Sequence, residues 1–191
     1  APLEVLEHDA PGEVTLDSAG NFTLTLPPHV AGDYSFSYTV VERDVGCLGP
    51  NPSGGCTDKE SVQLQVTAVA DAPVLNTGAA SGDEDTAIPL NIGLIPVDTD
   101  GSQSLTATVS GVPTGATLSA GSDLGGGVWA VPAAALPGLS ITPPLNANGG
   151  GSLTVTVDVE DQAVDAGGGV INTDVTSVNG VVNVTVDAVN D

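Results

Sequence analysis

The sequence predicts an all-β protein built as two tandem Greek-key β-sandwiches, the first of them lacking its N-terminal strands. Three observations carry that expectation. Val and Thr dominate the alternating stretches, Gly and Pro punctuate them and Met is absent, so helix-forming composition is weak throughout. Hydrophobic residues make up 40% of the chain but aromatics only 3%, so a core must be layered from Val, Leu, Ile and Ala. Thin layers of that kind suit a narrow sandwich rather than a thick α/β sheet. Finally, a repeat divides the chain. QVTAVAD ends at Asp71 and TVDAVND ends at Asp191, each with the look of a last strand running into a linker.

A second echo precedes each copy. YSFSYTVVERD ends at Asp44 and GSLTVTVDVED ends at Asp161, both with apolar residues at alternate positions, the mark of a strand with one buried face. The boundary therefore falls near Asp71, giving a partial module over residues 1–71 and a complete one over 72–191. In the first, strands are expected around EVTLD, NFTLTL, YSFSYTVV and SVQLQVTAV. That is too few for a seven-stranded sandwich, which needs about a hundred residues. In the second, AIPLNI, SLTATVS, GATLS, GVWAV, LSITP, SLTVTVDV and VVNVTVDAV supply a full set, with turn residues between them. The chain begins at Ala1 and shows no signal peptide and no stretch apolar enough to cross a bilayer, so it is expected to be an internal piece of a larger protein.

The formal net charge is −22, with 2 Lys and Arg against 24 Asp and Glu. Nucleic acid and anionic membranes are poor partners for such a surface, and membrane insertion is not expected. The apolar content is too regularly alternated for a disordered acidic chain, so cations are expected to neutralise the acidic clusters. Cys47 and Cys56 close the short loop CLGPNPSGGC. A local disulfide in an oxidising compartment is the expected state, with two reduced thiols as the alternative.

Strand parity says where the carboxylates should meet. In an antiparallel sandwich every second turn falls at the same end. The second module's first strand leaves Asp71 and delivers Asp83, Glu84 and Asp85 to the lower end; the next returns with Asp98 and Asp100 to the upper end, where Asp161 also arrives. Asp71, Asp98, Asp100 and Asp161 are expected to converge there, with Asp44 as the first module's counterpart of Asp161. Glu84, Asp85, Asp187 and Asp191 form the matching half-site below, to be completed by a following module. Converging carboxylates repel unless a cation sits among them, and oxygen donors without His or Cys select calcium. Asp17, Asp33, Asp123 and Asp174 are left as solvated turn residues.

The same residues carry a resemblance. GEVTLDSAGNFTLTLPPHVAGDYSFSYTVVERD and QVTAVADAP in the first module, with DEDTAIPLNI, PVDTDGSQSLTATV, SLTVTVDVEDQ and VDAVND in the second, resemble the cadherin-like tandem repeats of large RTX-type bacterial adhesins exported by type I secretion. The resemblance implies secreted, cell-surface extender modules with calcium at their junctions, whose partners are neighbouring modules and whose adhesive target is carried elsewhere. The first module lacks a DEDT-like start. DTDG lacks the later acidic residues of an EF-hand and is not one. His8 and His29 stand alone and no nucleophile has a paired base, so an enzyme is not expected. Trp129 is expected as a buried strand residue rather than a sugar platform. Two other readings are a glycan- or protein-binding module using the loops after Asp44 or Asp161, and an accessory module of a secreted hydrolase.

Overall fold

A computed structural model describes residues 4–8, 12–17, 19–42, 56–98 and 101–190. Strands dominate the described residues; the one helical element among them is a short 3-10 turn over Ala133–Ala135. The expected all-β class is therefore present. Asp44, Cys47, Asp100 and Asp191 lie outside the described residues, and with Cys47 so does the proposed disulfide. The chain forms two compact units. The first comprises residues 1–69 together with 162–173, and the second comprises 70–161 and 174–191.

In the first unit β1 (Glu4–His8), β4 (Gly32–Glu42) and β5 (Cys56–Val66) form one sheet, while β2 (Glu13–Leu16) and β3 (Phe22–Thr25) form a hairpin. β4 and β5 stay in antiparallel register from Gly32 opposite Val66 to Glu42 opposite Cys56. β1 was not legible in the sequence, because a bulge between Val5 and Glu7 breaks its pairing with β4. The core here departs from the aliphatic layers expected. Phe22 of the hairpin lies 5.0 Å from Phe36 and 4.8 Å from Tyr38 of the sheet, ring centroid to ring centroid, in tilted geometry. With two Phe and two Tyr in the whole chain, Tyr34 included, this unit holds every one of them.

The second unit contains β6 (Val74–Gly78), β7 (Ala80–Asp83), β8 (Ile88–Pro89), β9 (Asn91–Ile95), β10 (Gln103–Ser110), β11 (Thr117–Leu118), β12 (Ser122–Gly125), β13 (Val128–Pro132) and β14 (Ser140–Thr142), with the greater part of β15 (Gly149–Val164) and β16 (Val170–Asp187), whose residues 162–164 and 170–173 fall in the first unit. A six-stranded sheet has the order β12-β13-β10-β15-β16-β7, a three-stranded sheet the order β11-β14-β8, and β6 pairs with β9. β7 runs parallel to β16, Ala80 opposite Val184. The expected AIPLNI strand is split at Leu90, whose N–H donates to the Leu139 carbonyl at 2.8 Å instead of to a neighbouring strand.

Alternation in β15 fixes the buried face. Leu153, Val155, Val157 and Val159 are buried, while Thr154, Thr156, Asp158 and Glu160 occupy the other face. Both sheets feed one buried cluster: Val109, Val131, Val155, Val157 and Val182 from the larger, Ile88, Leu118 and Ile141 from the smaller, with Leu136 and Leu139 from the connection before β14. Trp129 is partly buried and packs against that cluster.

The last two strands are longer than expected. β15 passes Asp161 to Val164, and β16 starts at Val170 rather than near Val181, so what looked like a loop after Asp161 is a hairpin. Asp165 shapes its turn: Oδ1 accepts the N–H groups of Gly167 and Gly169, each at 2.8 Å.

Candidate functional site

At one end of the six-stranded sheet, β10 opens with Gln103 directly opposite Asp161 on β15. Asp161 occupies the inward row of Leu153 to Val159, a position where alternation calls for an apolar side chain, and only 2% of it is exposed. Asp98, after β9, is 7% exposed, and the Ser102 hydroxyl donates to its Oδ2 at 3.4 Å, a long contact. Since Ser102 precedes Gln103, the loop carrying Asp98 and the side chain of Asp161 share this end. Gln103 was not singled out from the sequence, yet its Nε2 is buried with no acceptor. Its signal in the sequence was no more than a polar residue opening an alternating strand; the pairing with Asp161 is a tertiary fact. Asp71 is half-buried.

At the other end, residues 83–86 form a turn closed by the Thr86 hydroxyl donating to the Asp83 carbonyl at 2.8 Å. The turn sends its carboxylates in different directions. Asp85 adopts φ 60° and is exposed, its Oδ1 accepting the Asn146 N–H at 2.8 Å. Glu84 turns inward: its N–H donates to the Asp187 carbonyl at 2.9 Å, and its Oε1 accepts the Val189 N–H at 2.8 Å. Glu84 is 7% exposed, and its Oε2 is buried with no partner. The Asp187 side chain is exposed, on the residue paired with Asp83. Among the described residues, no three His, Cys, Asp or Glu side chains gather into a group able to hold a metal. The structure thus brings Asp98 and Asp161 to one end and Glu84, Asp85 and Asp187 to the other, without a described three-carboxylate cluster at either.

The acidic residues set aside as solvated divide by role. Asp17 organises the β2–β3 turn, its Oδ1 accepting the N–H groups of Ala19 and Asn21 at 2.8 and 2.9 Å and its Oδ2 accepting Asn21 Nδ2 at 2.7 Å. Those bonds, the Asn21 side chain foremost, hold its carboxyl below the ordinary aspartate value. Asp165 repeats the backbone part of the arrangement, and in both turns the residue three positions on is a Gly with positive φ, Gly20 at 88° and Gly168 at 82°. The shared pattern, DSAGN and DAGGG, was visible in the sequence as a turn signal but passed unremarked. Asp123 accepts the Gly125 N–H at 2.8 Å, and Asp33 lies on β4, accepting from Gln65 Nε2 at 3.2 Å. Asp174 corrects the expectation: it lies within β16, half-buried, and its Oδ2 accepts the Ala70 N–H at 2.9 Å.

The second unit also carries an apolar cavity of about 170 Å³ lined by Pro113, Ile141, Pro144, Leu153, Val184 and Val186. No ionisable side chain lines it. No protein-family model matches the chain, and no curated protein matches it.

Proposed function

We propose that this chain is a non-catalytic extender segment of a secreted bacterial surface adhesin, folded as two cadherin-like Greek-key sandwiches and stiffened by calcium. The observation that carries the proposal is a charge imbalance inside the fold. Glu84, Asp98 and Asp161 are buried, and the entire chain supplies only two Lys and Arg to neutralise them and the other acidic residues. Buried carboxylates are held by hydrogen-bond donors and counter-charges, and in a chain with so few basic side chains a cation from solution is the counter-charge we propose. The available donors are oxygens, the ligand type that calcium takes, with backbone carbonyls and water completing a shell of six to eight. Glu84 Oε2, buried without a donor, fits that role at the lower end. Asp98 and Asp161, with Asp71 and Asp100, are the ligands proposed at the upper end; Asp85, Asp187 and Asp191 belong to the lower, and Asp44 to the first module.

The sandwich assignment is supported by one buried cluster drawn from both sheets of the second unit, and in the first by the aromatic contact between hairpin and sheet. Calcium titrated into the metal-free chain by calorimetry tests the proposal directly. Saturable binding that magnesium does not reproduce, with the upper-end part of it lost on Asp98→Ala with Asp100→Ala, is the expected result. Small-angle scattering with and without chelator tests the stiffening. Identical scattering profiles and no binding heat would remove the extender reading.

A further inference from the structure

We propose that residues 162–173, the tip of the long β15–β16 hairpin, are a structural part of the first unit, which does not reach its native fold without them. The shafts of that hairpin belong to the second unit, but its tip clusters with residues 1–69. Among the side chains of 1–69 whose burial is described, the buried apolar ones are Phe36 and Ala68. The tip adds Ala163, fully buried. It also satisfies backbone, since Asn172 Oδ1 accepts the Ala68 N–H at 3.0 Å. That bond matters because an unpartnered buried amide is costly.

Close approach is built into the sequence. Gly32, which opens β4, is buried, and a Cβ there would lie 2.9 Å from the Val164 carbonyl oxygen. Only a residue without a side chain lets that backbone come so near. The tip itself is preformed, because Asp165 holds the turn through two backbone N–H groups irrespective of what faces it. The Asp165–Gly167 turn then lines one side of a cleft whose other wall is Asp33–Ser35 and Gln63–Gln65. An element ordered by its own bonds loses little conformational entropy on docking. The segment thus supplies the first unit with a buried side chain, an amide acceptor and one wall. None of these contributions requires calcium, so the inference goes beyond the proposed function and stands or falls separately.

The distribution of chromophores makes the test possible on the intact chain. Both Tyr residues, Tyr34 and Tyr38, lie in the first unit, and the single Trp, Trp129, lies in the second. In one variant residues 162–173 are replaced by Asn-Gly, joining Asp161 to Asp174 through a two-residue hairpin turn. Tyrosine ring proton resonances should collapse to unfolded positions, or their melting midpoint should fall by about 5 °C or more, while the Trp129 fluorescence transition persists. Tyrosine resonances and midpoint unchanged overturn the proposal, whatever Trp129 does. Should the shortened chain fail to fold altogether, Asn172→Ala in the full chain decides. The Ala68 amide should then exchange with solvent about five- to tenfold faster, and an unchanged rate would sink the idea.

Discussion

Glu84 offers the sharpest test of calcium binding, because one substitution should have opposite effects with and without the ion. Glu84→Gln keeps an oxygen to accept the Val189 N–H but removes the charge from a side chain that is 7% exposed. Without calcium the wild-type carboxylate holds one buried oxygen with no donor, a desolvation cost on the order of 1–3 kcal/mol or more for a charged group. The amide escapes the charged part of that cost while its Nε2 takes the bare oxygen's place, so in chelator the variant should melt close to wild type or above it. With calcium at ten to a hundred times its dissociation constant, one site contributes about 1.4 to 2.7 kcal/mol. For a unit of roughly a hundred residues that is a rise of about 5 to 15 °C. Wild type should show the rise and Glu84→Gln should lose the part due to the lower end. The assay is thermal unfolding followed by Trp129 fluorescence, which reports the unit containing Glu84. If Glu84→Gln were equally destabilising in chelator and in calcium, the side chain would be a structural acceptor only. Its buried Oε2 would then not be a calcium ligand.

Other consequences are independent of metal. Because the Asp17 carboxyl is held below the ordinary value of 3.8, its contribution to folding is complete above that value and is lost as pH falls through the lower folded-state midpoint. Carbon-detected NMR should find that midpoint below 3.8, and Asn21→Ala should move it back upward; a midpoint at or above 3.8 in the wild type would contradict the turn geometry. Leu139 is 1% exposed in the second unit's core, so Leu139→Ala should cost about 2–5 kcal/mol in denaturant unfolding. Gly121 has φ 97°, and a Cβ there would fall 2.3 Å from the Ala130 carbonyl oxygen. Gly121→Ala should therefore destabilise by more than about 1 kcal/mol, whereas Gly138→Ala, with open space around it, should cost only the backbone strain of its φ of 111°.

The sequence by itself determined the all-β class and the position of most of the second unit's strands. Period-two alternation of Val and Thr survives any tertiary arrangement, because it records which face of each strand meets water. It is why SLTVTVDV, SLTATVS and GVWAV were found where β15, β10 and β13 run. Alternation fails where a strand has no simple buried face. Residues 170–180 of β16 carry Thr, Asn, Asp and Gly among their Val, and nothing local distinguishes them from a loop. Only pairing with β15 makes them a strand. The acidic residues were legible as oxygen donors, but not their directions. Whether Glu84 turns in and Asp85 out depends on a φ of 60° at Asp85 and on acceptors and donors a hundred residues away, at Asp187 and Val189. Membership of residues 162–173 in the first unit is likewise a tertiary fact. A boundary drawn from a repeat follows the order of the chain, whereas a compact unit is defined by what packs together, and a long hairpin can carry a segment from one into the other.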